Sequence, residues 1–501
     1  MRRAYGLFRI SVAIELCAAM FCYAQPSREI SALLEASPAV SSAFWGIEAV
    51  DLDTGKTVFS HDASSLFTPA SNIKLFTAAL ALDRLGPDFR FQTRVVSAQA
   101  PDGQGVVHGP LVLVGGGDPN LSAREVPYRK GPARGNPLGW LEELADQVAS
   151  RGVKRIRATV VGDDTWYVWE PYPKGWTVDD TLYDYGAPVS ALTVNDNTLT
   201  LSVRPGAHAG DPAELELSPP VEYYEIDNRV RTVAAPRGRS GESRVYLERE
   251  PGSRQLRLWG TLPIFAPAEI LTLAVEDPCE YAARALRAAL EQRGIVVEGG
   301  VEVRHRFPNE PAPEAGAAEP SFELARHESA PLIDDLGITA KVSQNLHAEL
   351  ALRAVGRARG GAGSLQEGLE EMKAFLGKIG IAPEAYSFSD GSGLDRAALV
   401  SPAAVVKLLR YMYASSERDR WVALLPVGGQ DGTLSERFGD GLAAGRIHAK
   451  TGTLAHVAAL SGYAQRSDGG WIAFSILVNN YNGTAAEMRR VVDRICTLIL
   501  E

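Results

Sequence analysis

Three short strings carry side chains able to do covalent chemistry: Ser71-Asn72-Ile73-Lys74, Ser343-Gln344-Asn345 and Lys450-Thr451-Gly452-Thr453. A serine hydroxyl is a weak nucleophile at neutral pH and needs a neighbouring base. On a helix, positions three apart share a face, so Lys74 projects beside Ser71. Desolvation and nearby positive charge favour a neutral amine, which can take the hydroxyl proton. The serine falls in a first helical turn, where free N–H groups and the helix dipole favour a developing oxyanion. That is the chemistry of attack on an amide or ester through an acyl-enzyme. Lys450-Thr451-Gly452-Thr453 opens a strand pattern. A strand edge offers N–H and C=O groups to an extended peptide, a glycine lets another backbone come close, and a lysine supplies positive charge for a carboxylate. Singly, each string also has a plainer reading: Ser71 as a cap beside a solvated Lys74, Ser343 and Asn345 as loop or cap residues, and Lys450-Thr451-Gly452 as a turn.

The elements that must position these residues are legible in outline. Thr68 and Pro69 have the form of an N-cap and first helical position, and Leu75, Ala78, Ala79 and Leu80 continue at helical spacing, so a helix is expected to start just before Ser71. Phe44–Leu52 and Thr57–Ser60 flank the turn Asp53-Thr54-Gly55-Lys56 as a hairpin. From about Phe89 to Leu262 short β-type runs such as Gln92–Val96 and Gly109–Val114 alternate with turn residues. Leu271–Gly294 reads as a helix, Ile295–Val297 as a strand and Phe307–Phe322 as an exposed Pro/Ala/Glu-rich loop. Ser364 and Glu367 form a capping box for a helix to about Gly380. Strands are expected at Val457–Ala464 and Trp471–Val478, then a final helix opened by Thr484 and Glu487. Both chain ends would then contribute to one sheet.

Ser-x-x-Lys, Ser-x-Asn and Lys-Thr-Gly, in that order, are the signature of penicillin-binding proteins and serine β-lactamases. The chain resembles the D-Ala-D-Ala carboxypeptidase/endopeptidase family of low-molecular-mass class C penicillin-binding proteins. Further family-like strings are Gly116-Gly117-Asp118-Pro119-Asn120-Leu121, Tyr185-Gly186-Ala187-Pro188-Val189-Ser190-Ala191-Leu192, Asp390-Gly391-Ser392-Gly393-Leu394 and Gly432-Thr433-Leu434. The resemblance implies an α/β (α+β) penicillin-binding-protein/β-lactamase-like transpeptidase fold, an antiparallel sheet flanked by helices, with a large mostly-β module inserted between the first two motifs. In this sequence that places the peptidase domain at residues 25–88 and 263–501 and the module, possibly two subdomains, at 89–262. The resemblance further implies Ser71 as nucleophile, Lys74 as general base, and Ser343 as proton relay supported by Lys450. Asn345 would bind the substrate backbone. Lys450, Thr451 and Thr453 would hold a terminal carboxylate beside Gly452, and the N–H groups of Ser71 and Thr453 would form the oxyanion hole. Implied partners are peptidoglycan stem peptides and β-lactams, with no cofactor. A β-lactamase or esterase of the same fold and a non-catalytic wall-binding protein are the alternatives. No Glu-x-x-x-Asn element follows the first motif, and the second begins with Ser rather than Tyr, which favours the peptidase.

A chain of 501 residues needs two or three domains. Its formal net charge of −10 argues against nucleic acid as a partner. Arg2, Arg3 and Arg9 precede the apolar run Ile10–Tyr23, closed by Ala24, which resembles a secretory signal peptide over residues 1–24. The expected location is periplasmic, with at most peripheral membrane association. Glu15 within the run, and Cys22-Tyr23-Ala24 in place of Ala-x-Ala, leave an uncleaved amino-terminal anchor as the other option. After the leader only Cys279 and Cys496 remain, either as a disulfide or as two buried thiols. The eight histidines show no metal-ligand spacing, so no metal is expected. Gly115-Gly116-Gly117 lacks the end of a P-loop. Ser392 reads as part of a site-lining loop rather than a nucleophile, and Asp163-Asp164, beside Trp166 and Tyr167, as a strand-end turn, the other reading being the contact with the stem-peptide side chain that the resemblance implies for this region.

Overall fold

The structure, a computed structural model, describes residues 27–132, 134–234, 242–310 and 322–501. The expected leader, with Cys17 and Cys22, lies outside the described residues, as does most of the 307–322 loop. The chain forms two compact units. The first comprises the chain up to Ala79, Thr339–Ser343 and Met372–Glu501, and the second Leu80–Ile338 with Gln344–Glu371.

The first unit is built on a five-stranded antiparallel sheet of β1 (Phe44–Asp51), β2 (Thr57–His61), β3 (Ile447–Leu454), β4 (Val457–Gln465) and β5 (Trp471–Asn479). Its order is β3-β4-β5-β1-β2, so the front hairpin joins the rear strands through β1 against β5, as anticipated. β4 and β5 are buried along nearly their whole length, as strands covered on both faces must be. Trp45, Ile47, Leu460, Phe474 and Ile476 share a core with Met488, Val492, Ile495 and Ile499 of the helix Ala485–Leu500. Pro402–Tyr413 also packs on this sheet. Thr484 caps the last helix, its Oγ1 accepting from Glu487 N at 3.2 Å.

The second unit holds a sheet of Val301–Arg306, Val160–Val168, Leu111–Val114, Gln92–Ser97 and Phe322–Glu328 in that spatial order. Helices Gly139–Ser150 and Pro278–Gln292 pack on it. The unit therefore runs beyond the expected 89–262. Val301–Arg306 pairs with Val160–Val168 and Phe322–Glu328 with Gln92–Ser97, which draws the chain after residue 262 into this core. Smaller sheets, including Thr198–Arg204 between Glu214–Ser218 and Glu269–Ala274, supply the β-rich remainder.

Several local expectations are corrected. Glu269–Ala274 is a strand, and the helix read from Leu271 starts at Pro278, where the Asp277 carboxylate caps the N–H groups of Cys279 and Glu280 at 2.9 and 3.0 Å. Asp163 and Asp164 lie within the strand Val160–Val168, not in a turn. Thr68 is not a helix cap: its N–H is held by Asn479 Oδ1 at 2.7 Å, while its hydroxyl donates to Arg396 O at 3.3 Å. Cys279 and Cys496 are free, buried thiols in different units. The capping box at Ser364 and Glu367 is present, with Glu367 N donating to Ser364 Oγ and Ser364 N to Glu367 Oε2.

Below the family-like Asp118 string, the second unit buries a titratable network. His347 is fully buried and sits 2.7 Å from Asp335 and 3.2 Å from Asp196, which is also bonded by Arg124 at 2.6 Å. Burial alone would push His347 down, but Asp335 and Asp196 overcome it and hold the imidazole up at about 9. Burial, with Asp335 adding to it, raises Asp118 to about 7. Both groups bind their proton more tightly when folded. Their stabilisation is complete below the unfolded values and is lost as pH rises, through about 7 for Asp118 and about 9 for His347. The stability gap between wild type and His347→Gln should therefore shrink by about 3 kcal/mol between pH 6 and pH 9 in denaturant titrations. A gap independent of pH would show that folding leaves the proton affinity of His347 unchanged, and a gap that widens as pH rises would show a neutral imidazole in the folded protein.

Candidate active site

Ser71 lies in a 3₁₀ turn, Ala70–Asn72, that runs directly into the helix Ile73–Leu85. The turn packs on β3 and β4. Ala70 enters it at φ 48°, a left-handed conformation costly for a residue with a side chain. Such strain persists only where the surroundings impose it, and it is concentrated at functional sites. Lys74 follows one turn later, 1% exposed, with Nζ 2.9 Å from Ser71 Oγ and donating to Ser392 O at 2.7 Å. The helical spacing thus delivers the Ser–Lys contact that the first motif anticipates.

The loop that presents Ser392 O is organised by Asp390, whose carboxylate accepts from Ser392 Oγ and from the N–H groups of Gly393, Leu394 and Asp395. Thr77 Oγ1 ties the loop to the Ser71 helix by donating to Gly391 O at 2.6 Å. Gly393 has φ 78°, and a Cβ there would collide with the Ala70 carbonyl. Ser392 reads as a lining residue from the sequence, and the atom that meets Lys74 is its backbone carbonyl, which no side-chain pattern announces. Asp390 and Thr77 were not singled out as site residues, although Asp390 belongs to one of the family-like strings.

Ser343 has φ 64°, the second strained non-glycine residue at the motifs. Its Oγ accepts from Lys450 Nζ at 2.7 Å. Lys450 lies on β3 with no exposed surface and also donates to Thr451 O at 2.8 Å. Burial, reinforced by the charge of Lys74, pushes the Lys450 ammonium well below its ordinary value. Two lysines in a dry site cannot both stay charged cheaply.

β3 is the edge of the sheet. Ala449 N–H donates away from β4 to Pro426 O at 3.0 Å. By strand alternation the N–H groups of Thr451 and Thr453 face the same outer side, the geometry for pairing with an extended peptide. Thr451 Oγ1 is 2.8 Å from Thr433 Oγ1, a partner from the Gly432-Thr433-Leu434 string that had no assigned role. A Cβ at Gly452 would lie 2.7 Å from Pro69 O and 2.9 Å from Asn72 Nδ2. The backbone that approaches Gly452 is therefore the Ser71 turn itself, where the sequence suggested a substrate. Asn345 belongs to the second unit, where it opens the helix Asn345–Ala358 and donates to Tyr185 O at 2.7 Å.

The chain is similar to known proteins over nearly its whole length. Residues 27–497 match the D-Ala-D-Ala carboxypeptidase 3 (S13) family. A D-alanyl-D-alanine carboxypeptidase of Actinomadura sp. is 36% identical over 91% of this chain and 81% of its own length. The Haemophilus influenzae D-alanyl-D-alanine carboxypeptidase DacB is 26% identical over 87% of this chain and 85% of its length. The crystal structure of penicillin binding protein 4 (dacB) from that organism superposes with a TM-score of 0.78 at 25% identity, covering 93% of this chain and 97% of that one. A second structure of it, complexed with a novel β-lactam, gives a TM-score of 0.73. Among the described residues no helix is long and apolar enough to cross a membrane.

Proposed function

Since the chain belongs to the D-Ala-D-Ala carboxypeptidase 3 (S13) family and is a serine-type D-Ala-D-Ala carboxypeptidase of the penicillin-binding-protein fold, we propose that Ser71 is its nucleophile and Lys74 its general base. The observation that carries the reading is the 2.9 Å contact between Lys74 Nζ and Ser71 Oγ. Lys74 takes the hydroxyl proton as Ser71 Oγ attacks the carbonyl carbon of the penultimate D-Ala. The outward N–H of Thr453 and the N–H of Ser71 stabilise the oxyanion. As the tetrahedral intermediate collapses, Ser343 passes a proton to the leaving amine with Lys450 behind it. Water then hydrolyses the acyl-enzyme. Lys450, Thr451 and Thr453 hold the terminal carboxylate.

The lysine pair explains how the base becomes neutral. A substrate carboxylate at Lys450 favours its charged form, and that charge makes a second ammonium at Lys74 unfavourable.

We further propose that the natural substrates are peptidoglycan stem peptides outside the cytoplasm, that β-lactams acylate Ser71, and that the enzyme is both carboxypeptidase and endopeptidase. A terminal D-Ala and a cross-linked D-centre each carry a carboxylate next to the scissile bond, so one carboxylate site serves both. Muropeptide chromatography after digestion of sacculi tests this. Wild type should deplete pentapeptides and cross-linked dimers together, and Ser71→Ala should deplete neither. Pentapeptide loss with dimers untouched would refute the dual activity.

A further inference from the structure

Outside the candidate active site, the second unit gathers a sulfur, a nitrogen and an oxygen ligand at one point. One ligand atom each of Asp164, Cys279 and His305 lies within 4.8 Å of the other two. Asp164 and Cys279 are buried, and the His305 side chain is 11% exposed. They come from three elements: Asp164 from the strand Val160–Val168, His305 from Val301–Arg306 and Cys279 from the first turn of the helix Pro278–Gln292. We propose that these residues form a binding site for a zinc-like divalent transition-metal ion, with Asp164 Oδ1, Cys279 Sγ and His305 Nδ1 as ligands.

The donor set fits such an ion. Thiolate, imidazole and carboxylate together are the ligands of borderline-soft metals such as Zn²⁺ and Co²⁺, whereas Mg²⁺ and Ca²⁺ prefer oxygen alone. Asp164 Oδ1 and His305 Nδ1 are 2.9 Å apart, close to the spacing of two ligands on one ion. The outer ring nitrogen has its own partner: His305 Nε2 is 3.2 Å from Asp277 Oδ2. A carboxylate on the far side of a ligand imidazole fixes the tautomer that turns a lone pair toward a metal. The other oxygen of Asp277 caps the helix at Cys279 N, so one carboxylate orients the histidine and anchors the turn that carries the sulfur. Asp164 is held from behind by Ser190 Oγ at 2.8 Å, and Trp169 stacks on the His305 ring at a centroid distance of 3.9 Å. Three protein ligands leave a fourth tetrahedral position for water. The ion would clamp two strands and a helix of this unit, separately from the Ser71 chemistry.

The competing arrangement is metal-free, with His305 donating to Asp164 and Asp277 at once. Co²⁺ titration of the chelator-treated full chain separates the two. A near-ultraviolet thiolate-to-cobalt absorption should saturate at one ion per chain and be abolished by excess Zn²⁺. Cys279→Ser should lack the band and Cys496→Ser should keep it. Asp277→Asn, which retains a capping side chain, should weaken Co²⁺ binding about 10- to 100-fold. Zn²⁺ at about 100 times its dissociation constant should raise Tm by about 5 °C in wild type and leave Cys279→Ser unmoved. Far-ultraviolet circular dichroism and the cooperativity of its thermal melt check that Cys279→Ser is folded. If that variant does not fold, the wild-type titration decides by itself. A wild-type chain without the one-to-one band, or the same band in Cys279→Ser, would overturn the site.

Discussion

Ser71→Ala is expected to leave the folded protein without any covalent penicillin adduct by intact-mass measurement and to slow D-alanine release by about 10⁵-fold. The size of the loss follows from what remains. The backbone N–H groups and Lys450 stay in place, but the hydroxyl oxygen beside Lys74 that we propose forms the ester is gone. The variant should fold, because Lys74 Nζ keeps the Ser392 carbonyl as a partner and the lost contact costs about 1–2 kcal/mol. Two other hydroxyls make the test discriminating. Ser392 Oγ is buried and donates to Asp390 Oδ2 at 3.0 Å, which commits its proton to a carboxylate that organises the loop. Ser343 Oγ is the one to watch, since Lys450 Nζ lies 2.7 Å away. A stoichiometric adduct persisting in Ser71→Ala and lost in Ser71→Ala/Ser343→Ala would move the nucleophile to Ser343 and reverse the roles of the two lysines.

Covalent proximity explains most of what was readable before the fold was known. Ser71 and Lys74 are one helical turn apart, so their contact needs only a helix. The hairpin β1–β2, the Ser364–Glu367 box and the Thr484 cap are equally local. Local pattern and fold part where distant chain decides. Thr68 has the form of a cap but is claimed by Asn479, 411 residues away in sequence. Glu269–Ala274 has apolar residues that also suit a helix, yet pairing with Thr198–Arg204 makes it a strand. The correct helix start was nonetheless written in Asp277-Pro278, an N-cap followed by proline. The same holds at the candidate site. Lys450 and Ser343 were anticipated through motif types, whereas Ser392 O, Asp390, Thr77 and Thr433 enter through backbone groups and long-range bonds. His347, Asp335 and Asp196 assemble over 151 residues of sequence, and Asp164, Cys279 and His305 over 141, with no spacing to betray either cluster.

Lys450→Ala should lower kcat/KM for a peptide ending in D-Ala-D-Ala by about 10³-fold, and Lys450→Arg by much less. The ammonium is fully buried, so its attraction for a carboxylate acts in a low dielectric, where truncating one partner of a hydrogen-bonded charge pair costs about 2–5 kcal/mol. The alanine variant also leaves Ser343 Oγ without its donor and removes the charge that disfavours an ammonium at Lys74. Arginine keeps the charge, although its guanidinium is larger and less point-like, so some loss is expected from packing. A C-terminally amidated peptide isolates the electrostatic part. Wild type should strongly prefer the free carboxylate over the amide. Lys450→Arg should retain much of that preference, and Lys450→Ala should treat the two peptides nearly alike while still being acylated slowly. Equal kcat/KM for the alanine and arginine variants, or an undiminished carboxylate preference in Lys450→Ala, would remove the charge from the mechanism and leave Lys450 only the task of orienting Ser343.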